Sequence, residues 1–269
     1  MKGDRGSSGA AERVEVTAGL PVGRLLSLAL ALILALLLSL PAPVLAQNAP
    51  DFAIGQPRVS LGAHLGYSAI SGGSDLFSDT QELLTVGERD LDGPVFRAEA
   101  TVRVTDRLDL ALGLGHSRGE VFSEFRDWVD ADDLPIEQTT TFSRTPFTVG
   151  ARLYLLERGT SIGRFAWIPA PWAPYVGGGG GIMGYSFRQE GDWVDFSTQD
   201  IFRDTLEAEG TAGLFYLAAG ADFSLGPHVV LNGEARYHRG EGDVGRDFVG
   251  FDPIDLSGFQ LTLGLGMRF

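Results

Sequence analysis

The chain has 269 residues, 37 of them glycine and none cysteine, and its 21 basic against 35 acidic residues give a formal charge of −14. This acidic balance argues against nucleic-acid binding, which needs a basic footprint to displace counterions from phosphates. The lack of cysteine excludes a disulfide framework, a thiolate metal site and a lipid anchor on cysteine, leaving stability to sheet closure and packing. In chain order, the first feature is an almost pure Leu/Ala run, residues 25–40, after Arg24 and before Pro41, Pro43 and Ala46. The pattern predicts a signal peptide over residues 1–46, cut after Ala46. The run falls short of the roughly 20 apolar residues of a spanning helix, although an uncleaved anchor is the alternative. Residues 47–57 then read as a linker and 58–269 as one all-β domain.

Eight segments of that domain alternate with a period of two, so that successive side chains point to opposite faces. The first, 58–71, sets Val59, Leu61, Ala63, Leu65, Tyr67 and Ala69 against Ser60, Gly62, His64, Gly66 and Ser68. The second, 95–105, opposes Phe96, Ala98, Ala100, Val102 and Val104 to Arg97, Glu99, Thr101 and Arg103. In the third, 108–117, Leu108, Leu110, Leu112 and Leu114 share one face and Asp109 lies on the other; the fourth, 142–156, carries Phe147, Val149, Ala151, Leu153 and Leu155 against Thr148, Gly150, Arg152 and Tyr154. The fifth, 175–188, is less regular. Its Gly179-x-Gly181-x-x-Gly184 resembles a dinucleotide fingerprint only formally, because no helix pattern follows; glycine here is expected to bend a tilted strand and make room for large neighbours. The sixth, 211–225, sets Phe215, Leu217, Ala219, Ala221 and Phe223 against Tyr216, Ala218, Gly220, Asp222 and Ser224, with Leu214 interrupting the polar face. The seventh, 229–238, opposes Val229, Leu231 and Tyr237 to Asn232, Glu234, Arg236 and His238. The connections 72–93, 119–141, 189–210 and 240–257 read as long loops, and those at 106–107 and 226–228 as tight turns.

The eighth segment, 258–269, has Phe259, Leu261, Leu263, Leu265, Met267 and Phe269 on one face and Gln260, Thr262, Gly264, Gly266 and Arg268 on the other. Strict alternation over a membrane-crossing length, ending on an aromatic, suits a lipid-facing strand. This segment resembles the closing strand of outer-membrane β-barrel proteins, and residues 58–269 as a whole resemble the OmpA/OmpX/OmpW-like superfamily of small, porin-like barrels. The resemblance implies that the terminal aromatic and its alternating apolar partners are read by the barrel-insertion machinery. It also implies an eight-stranded antiparallel transmembrane barrel in the bacterial outer membrane, in contact with lipid and lipopolysaccharide, with linker and short turns on the periplasmic side and long loops outside. No periplasmic domain is expected after Phe269. A soluble lipocalin-type barrel would also alternate, but its outer surface should be rich in scattered Lys and Glu, whereas the polar face here is mostly Gly, Ser and Thr with a few charges of both signs.

An eight-stranded barrel leaves an interior just wide enough for side chains. The inward charges Arg97, Glu99, Arg103, Asp109, Arg152, Asp222, Glu234, Arg236 and Arg268 are therefore expected to pair with one another, because lone ions in a confined interior are costly. Their pairing would make a salt-bridged plug; a gated pore for small anions is the alternative. No cofactor, metal or catalytic site is expected. His116 and Ser117 come nearest to a base and nucleophile pair, but adjacent strand residues face opposite ways, so a lipid-modifying enzyme is the distant reading. The acidic loops, among them Asp75, Asp79, Glu82, Asp90 and Asp92, then Glu120, Glu124, Asp127, Asp130, Asp132, Asp133 and Glu137, keep the surface soluble, with recruitment of divalent cations as the alternative. Trp167 and Trp172 are expected at a membrane interface. The functional expectation is a structural or surface-interaction protein, with a narrow solute channel second.

Overall fold

The computed structural model describes residues 52–269 apart from residues 88, 131, 164, 196, 197 and 199; the predicted signal peptide lies outside the described residues. Eight antiparallel strands form the ring of the main sheet: β1 (Val59–Ile70), β2 (Gly93–Arg103), β3 (Leu108–Val129), β4 (Pro135–Tyr154), β5 (Trp172–Val194), β6 (Ile201–Ser224), β7 (Val229–Gly242) and β8 (Gly258–Arg268), with the two-residue strand Ile254–Asp255 added along the end of β7. Each pairs with the next in sequence, and β8 pairs with β1 through Leu263 opposite Leu65, so the sheet closes on itself. Closure removes both sheet edges over the length shared by all eight strands. The alternating apolar residues face outward there: Leu65, Leu110, Leu112, Val149, Leu217, Leu261, Leu263 and Leu265 are each half or more exposed. Their polar partners line the interior, where Arg97, Glu99, Asp109, Thr148, Glu234 and Arg236 are buried. On β8, Phe259, Leu261, Leu263, Leu265 and Phe269 point out, with Met267 half-buried beside them.

The wall is uneven. β2 has 11 residues but β3 has 22, β5 has 23 and β6 has 24. At about 3.3 Å per residue, the extra length carries the β3–β4 and β5–β6 hairpins roughly 40 Å further along the strand direction. Much of 119–141 and 189–210, expected as loops, is thus strand. The hydrogen-bond ladder continues from β3 to β6, with Phe122 opposite Thr139, Thr140 opposite Gln189 and Arg188 opposite Glu207. Beyond an apolar surrounding a strand needs no apolar outer face, so alternation weakens while pairing persists. The two raised edges are covered rather than left open. Along β3, the Thr85 amide donates to the Glu124 carbonyl at 2.8 Å and the Glu124 amide to Thr85 Oγ1 at 2.9 Å. Along β6, the Glu207 amide donates to the Asp247 carboxylate at 3.1 Å.

The 72–93 connection, expected as loop, contains helix α1 (Asp75–Leu83), which buries Leu76, Phe77 and Thr80. At the opposite end of the barrel, where Val59 and Phe269 lie, residues 159–162 and 166–169 form a small hairpin that pairs with Ala53–Ile54 through Ala53 opposite Trp167.

Candidate functional site

The buried charged and aromatic groups of the barrel interior are stacked in three layers. The layer nearest Val59 and Phe269, the terminal layer, is closed by the 159–169 hairpin, which turns Trp167 inward until only 1% of it is exposed. This corrects the expected interfacial position: Trp172, 50% exposed, faces outward, but Trp167 does not. Arg158, which carries no periodic signal because it sits in a turn, binds Asp109 at 2.6 Å and donates to the carbonyls of Asp106 and Thr105 at 3.2 and 3.0 Å. Its guanidinium stacks 4.3 Å from the Tyr154 ring centre. The Tyr154 hydroxyl donates to Asp222 at 2.9 Å, and Asn232 donates to the other oxygen of that carboxylate at 2.7 Å.

The middle layer is an ion cluster drawn from three strands, β2, β4 and β7. Arg97 reaches Glu234 at 2.8 Å; Arg152 pairs with Glu99 and reaches Glu234 at 2.9 Å; Arg236 reaches Glu234 at 2.9 Å and Glu99 at 3.2 Å. The Tyr175 hydroxyl adds a donation to Glu234 at 2.7 Å. Two of the guanidiniums also lie on aromatic faces, Arg152 at 4.6 Å from Tyr175 and Arg236 at 4.2 Å from Tyr216, an arrangement that further stabilises a desolvated cation. Glycine makes room for these rings. A Cβ on Gly150 would overlap the Tyr216 hydroxyl, and one on Gly179 would lie 2.9 Å from the same ring. Gly150→Val should therefore push Tyr216 off Arg236 and destabilise the barrel by about 1–3 kcal/mol; urea titration of the detergent-folded protein, followed by tryptophan fluorescence, reads the loss.

The third layer is apolar, a departure from an interior expected to be polar throughout. Phe77 of α1 packs edge-on to Phe142 at 5.5 Å and to Phe187 at 5.6 Å, and Phe187 meets Phe248 of the β7–β8 connection at 5.8 Å. Met183, Leu214, Ile254 and Leu256 belong to the same cluster, which explains why Leu214 interrupts the polar face of β6. Arg144 anchors the connection from below: it donates to the Leu256 and Ser257 carbonyls at 3.1 and 3.2 Å and to Ser68 at 2.8 Å. Arg144 has the same strand parity as Arg152, a signal that could have found it.

Of the nine charges singled out in the sequence, Arg97, Glu99, Arg152, Glu234 and Arg236 meet in the middle layer, while Arg103, Asp109, Asp222 and Arg268 lie in the terminal layer. His116 points outward and hydrogen-bonds Thr145 at 3.0 Å, while Ser117 is buried inside, so the two are not brought together. The far-end acids serve largely as acceptors for backbone amides: Asp92 for Ile70 at 2.8 Å, Asp75 for Asp252 at 3.0 Å and Asp255 for Gly73 at 3.1 Å. Among the described residues no three His, Asp or Glu side chains gather to hold a metal ion.

The family model described as outer membrane protein beta-barrel domain matches residues 32–269. No curated protein matches the chain. Among solved structures, Neisserial surface protein A is similar at 14% identity, covering 82% of this chain and 99% of its own, with a TM-score of 0.43. OprG from Pseudomonas aeruginosa is 11% identical over 82% of this chain and 99% of its own, with a TM-score of 0.42. Ail of Yersinia pestis, solved with the heparin analogue sucrose octasulfate, is 12% identical over 79% of this chain and 99% of its own, with a TM-score of 0.38.

Proposed function

The chain belongs to the outer membrane protein β-barrel domain family, and from that premise we propose that it is a closed barrel whose role is structural and surface-interacting rather than conductive. One observation carries this reading. The lumen is filled at three successive levels, by Trp167, by the Glu99–Glu234 ion cluster and by the Phe77 aromatic layer, while the tall β3–β4 and β5–β6 hairpins extend the wall beyond the closed ring. A solute path would have to break all three levels at once. The hairpins and the connections 71–92 and 243–257 face outward from the cell in this reading, and the short turns and the 159–169 hairpin face the periplasm, the usual asymmetry of such barrels. Lipid and lipopolysaccharide contact the apolar belt. Residues 1–46 act as a cleaved signal peptide and 47–57 as a periplasmic linker. The outward row Phe259, Leu261, Leu263, Leu265, Met267 and Phe269 is the segment presented to the insertion machinery.

Mature protein, residues 47–269, reconstituted in planar bilayers should show no stepwise conductance, while its unheated form migrates differently from the boiled form in gels, because a closed barrel keeps its backbone hydrogen bonds internal. Regular conductance steps from protein with that mobility shift would favour the second reading, a narrow channel, whose support is the excess of arginine over carboxylate in the interior.

A further inference from the structure

The terminal layer carries more cations than it neutralises. Arg103, Arg158 and Arg268 face Asp109 and Asp222 across one small cavity, also lined by Arg58, Ser60, Tyr154 and Ser224. Arg158 takes Asp109. Asp222 is held by the neutral donors Tyr154 and Asn232. Among the described residues, neither Arg103 nor Arg268 has a carboxylate within 4.0 Å. Arg268 donates to the Ser224 hydroxyl at 2.9 Å, and both guanidiniums lie beside Trp167, at 5.6 and 5.8 Å from its ring. The Nε and Nη1 atoms of Arg103 and the Trp167 indole N–H are buried without an acceptor. A poorly solvated cation without a counter-charge is expensive, and here the buried Arg268 and the half-buried Arg103 share a cavity of about 20 Å³. That is room for one water-sized particle, too little for a phosphate or a carboxylic acid.

We propose that this chamber between Arg103 and Arg268 is a binding site for one small monovalent inorganic anion, of the size of chloride. The anion accepts from the free Arg103 nitrogens, lies within the field of Arg268 and takes hydroxyl donations from Ser60 or Ser224. Its route is the open cleft of about 600 Å³ beside the 159–169 hairpin, which shares Arg103 and Arg158 with the chamber and is further lined by Gln56, Thr105 and Arg107 and by the carboxylates of Asp106 and Glu157. The site is independent of whether the lumen conducts, because it lies on the terminal side of the ion cluster.

The test is bromide substitution. Crystals of the mature protein grown or soaked in sodium bromide should show an anomalous peak within hydrogen-bonding distance of Arg103, and crystals of Arg103→Gln should lack it. In parallel, replacing gluconate by chloride at constant ionic strength should raise the unfolding temperature of the parent by roughly 5 °C at an excess of 100-fold over the dissociation constant, with the rise lost in Arg103→Gln and kept in the control Arg239→Gln, at an exposed arginine outside both cavities. If Arg103→Gln fails to fold, Arg103→Lys, which keeps the charge but removes Nε, should weaken the bromide peak. No peak together with no chloride-dependent shift overturns the proposal. A bromide peak that survives Arg103→Gln, or one found only on the surface, marks an adventitious ion only and also overturns it.

Discussion

Glu234→Gln is expected to lower the stability of the folded barrel by about 3–5 kcal/mol, the range for removing one member of a buried charge group. Glu234 is 4% exposed and is the hub of the middle layer, meeting Arg97 at 2.8 Å and Arg152 and Arg236 at 2.9 Å each. Gln keeps the volume but leaves three buried guanidiniums facing the single carboxylate of Glu99. The loss should be visible as an earlier midpoint in urea and as a lower temperature at which the unheated gel form disappears. Adding Arg97→Gln to Glu234→Gln removes one of the stranded cations and should recover part of the loss, so the two changes should be non-additive in a double-mutant cycle. An unchanged urea midpoint for Glu234→Gln would mean that the cluster does not hold the middle of the barrel.

Phe77→Ala should leave the barrel wall intact and release its far-end closure. The ring is 2% exposed, and it contributes edge-on contacts to Phe142 and Phe187. Truncating a buried phenylalanine costs about 3–5 kcal/mol, edge-to-face pairs included. α1 has only nine residues, and a helix of that length has little stability of its own. Amide hydrogen exchange across α1 and the segment leading to β2 should therefore become much faster, while β1, β2, β7 and β8 keep their protection and the heat-dependent gel shift persists. Unchanged exchange over α1 would show that the helix is held by something other than the aromatic layer. The same variant in planar bilayers tests the middle layer by itself, because in the proposed reading the ion cluster alone should then keep the lumen closed.

The predicted eight strands and their inward and outward faces are present, and where the ring is closed the predicted boundaries differ from the observed ones by only a few residues: 58–71 against Val59–Ile70 and 258–269 against Gly258–Arg268. Membrane lipid is the reason. It forces every crossing to be apolar on alternate residues, so the period of two in Leu110, Leu112 and Leu114 or in Leu261, Leu263 and Leu265 reports both strand and orientation. Outside lipid that constraint lapses. The Thr139, Thr140 and Thr141 stretch is polar on both faces yet pairs as regularly as the rest, and so the height of the hairpins was not legible.

α1 and the inward turn of Trp167 were hidden for a related reason: each is a short segment whose apolar side has meaning only against a cavity made by distant strands. The grouping of the charges was likewise decided by closure. Arg236 and Glu99 are 137 residues apart, and Arg152 and Glu234 are 82 apart. The alternation alone determined that these side chains point inward. Their division into a five-membered cluster, with Arg103 and Arg268 left at the Phe269 end without carboxylate partners, followed from the registers in which the strands pair around the closed ring.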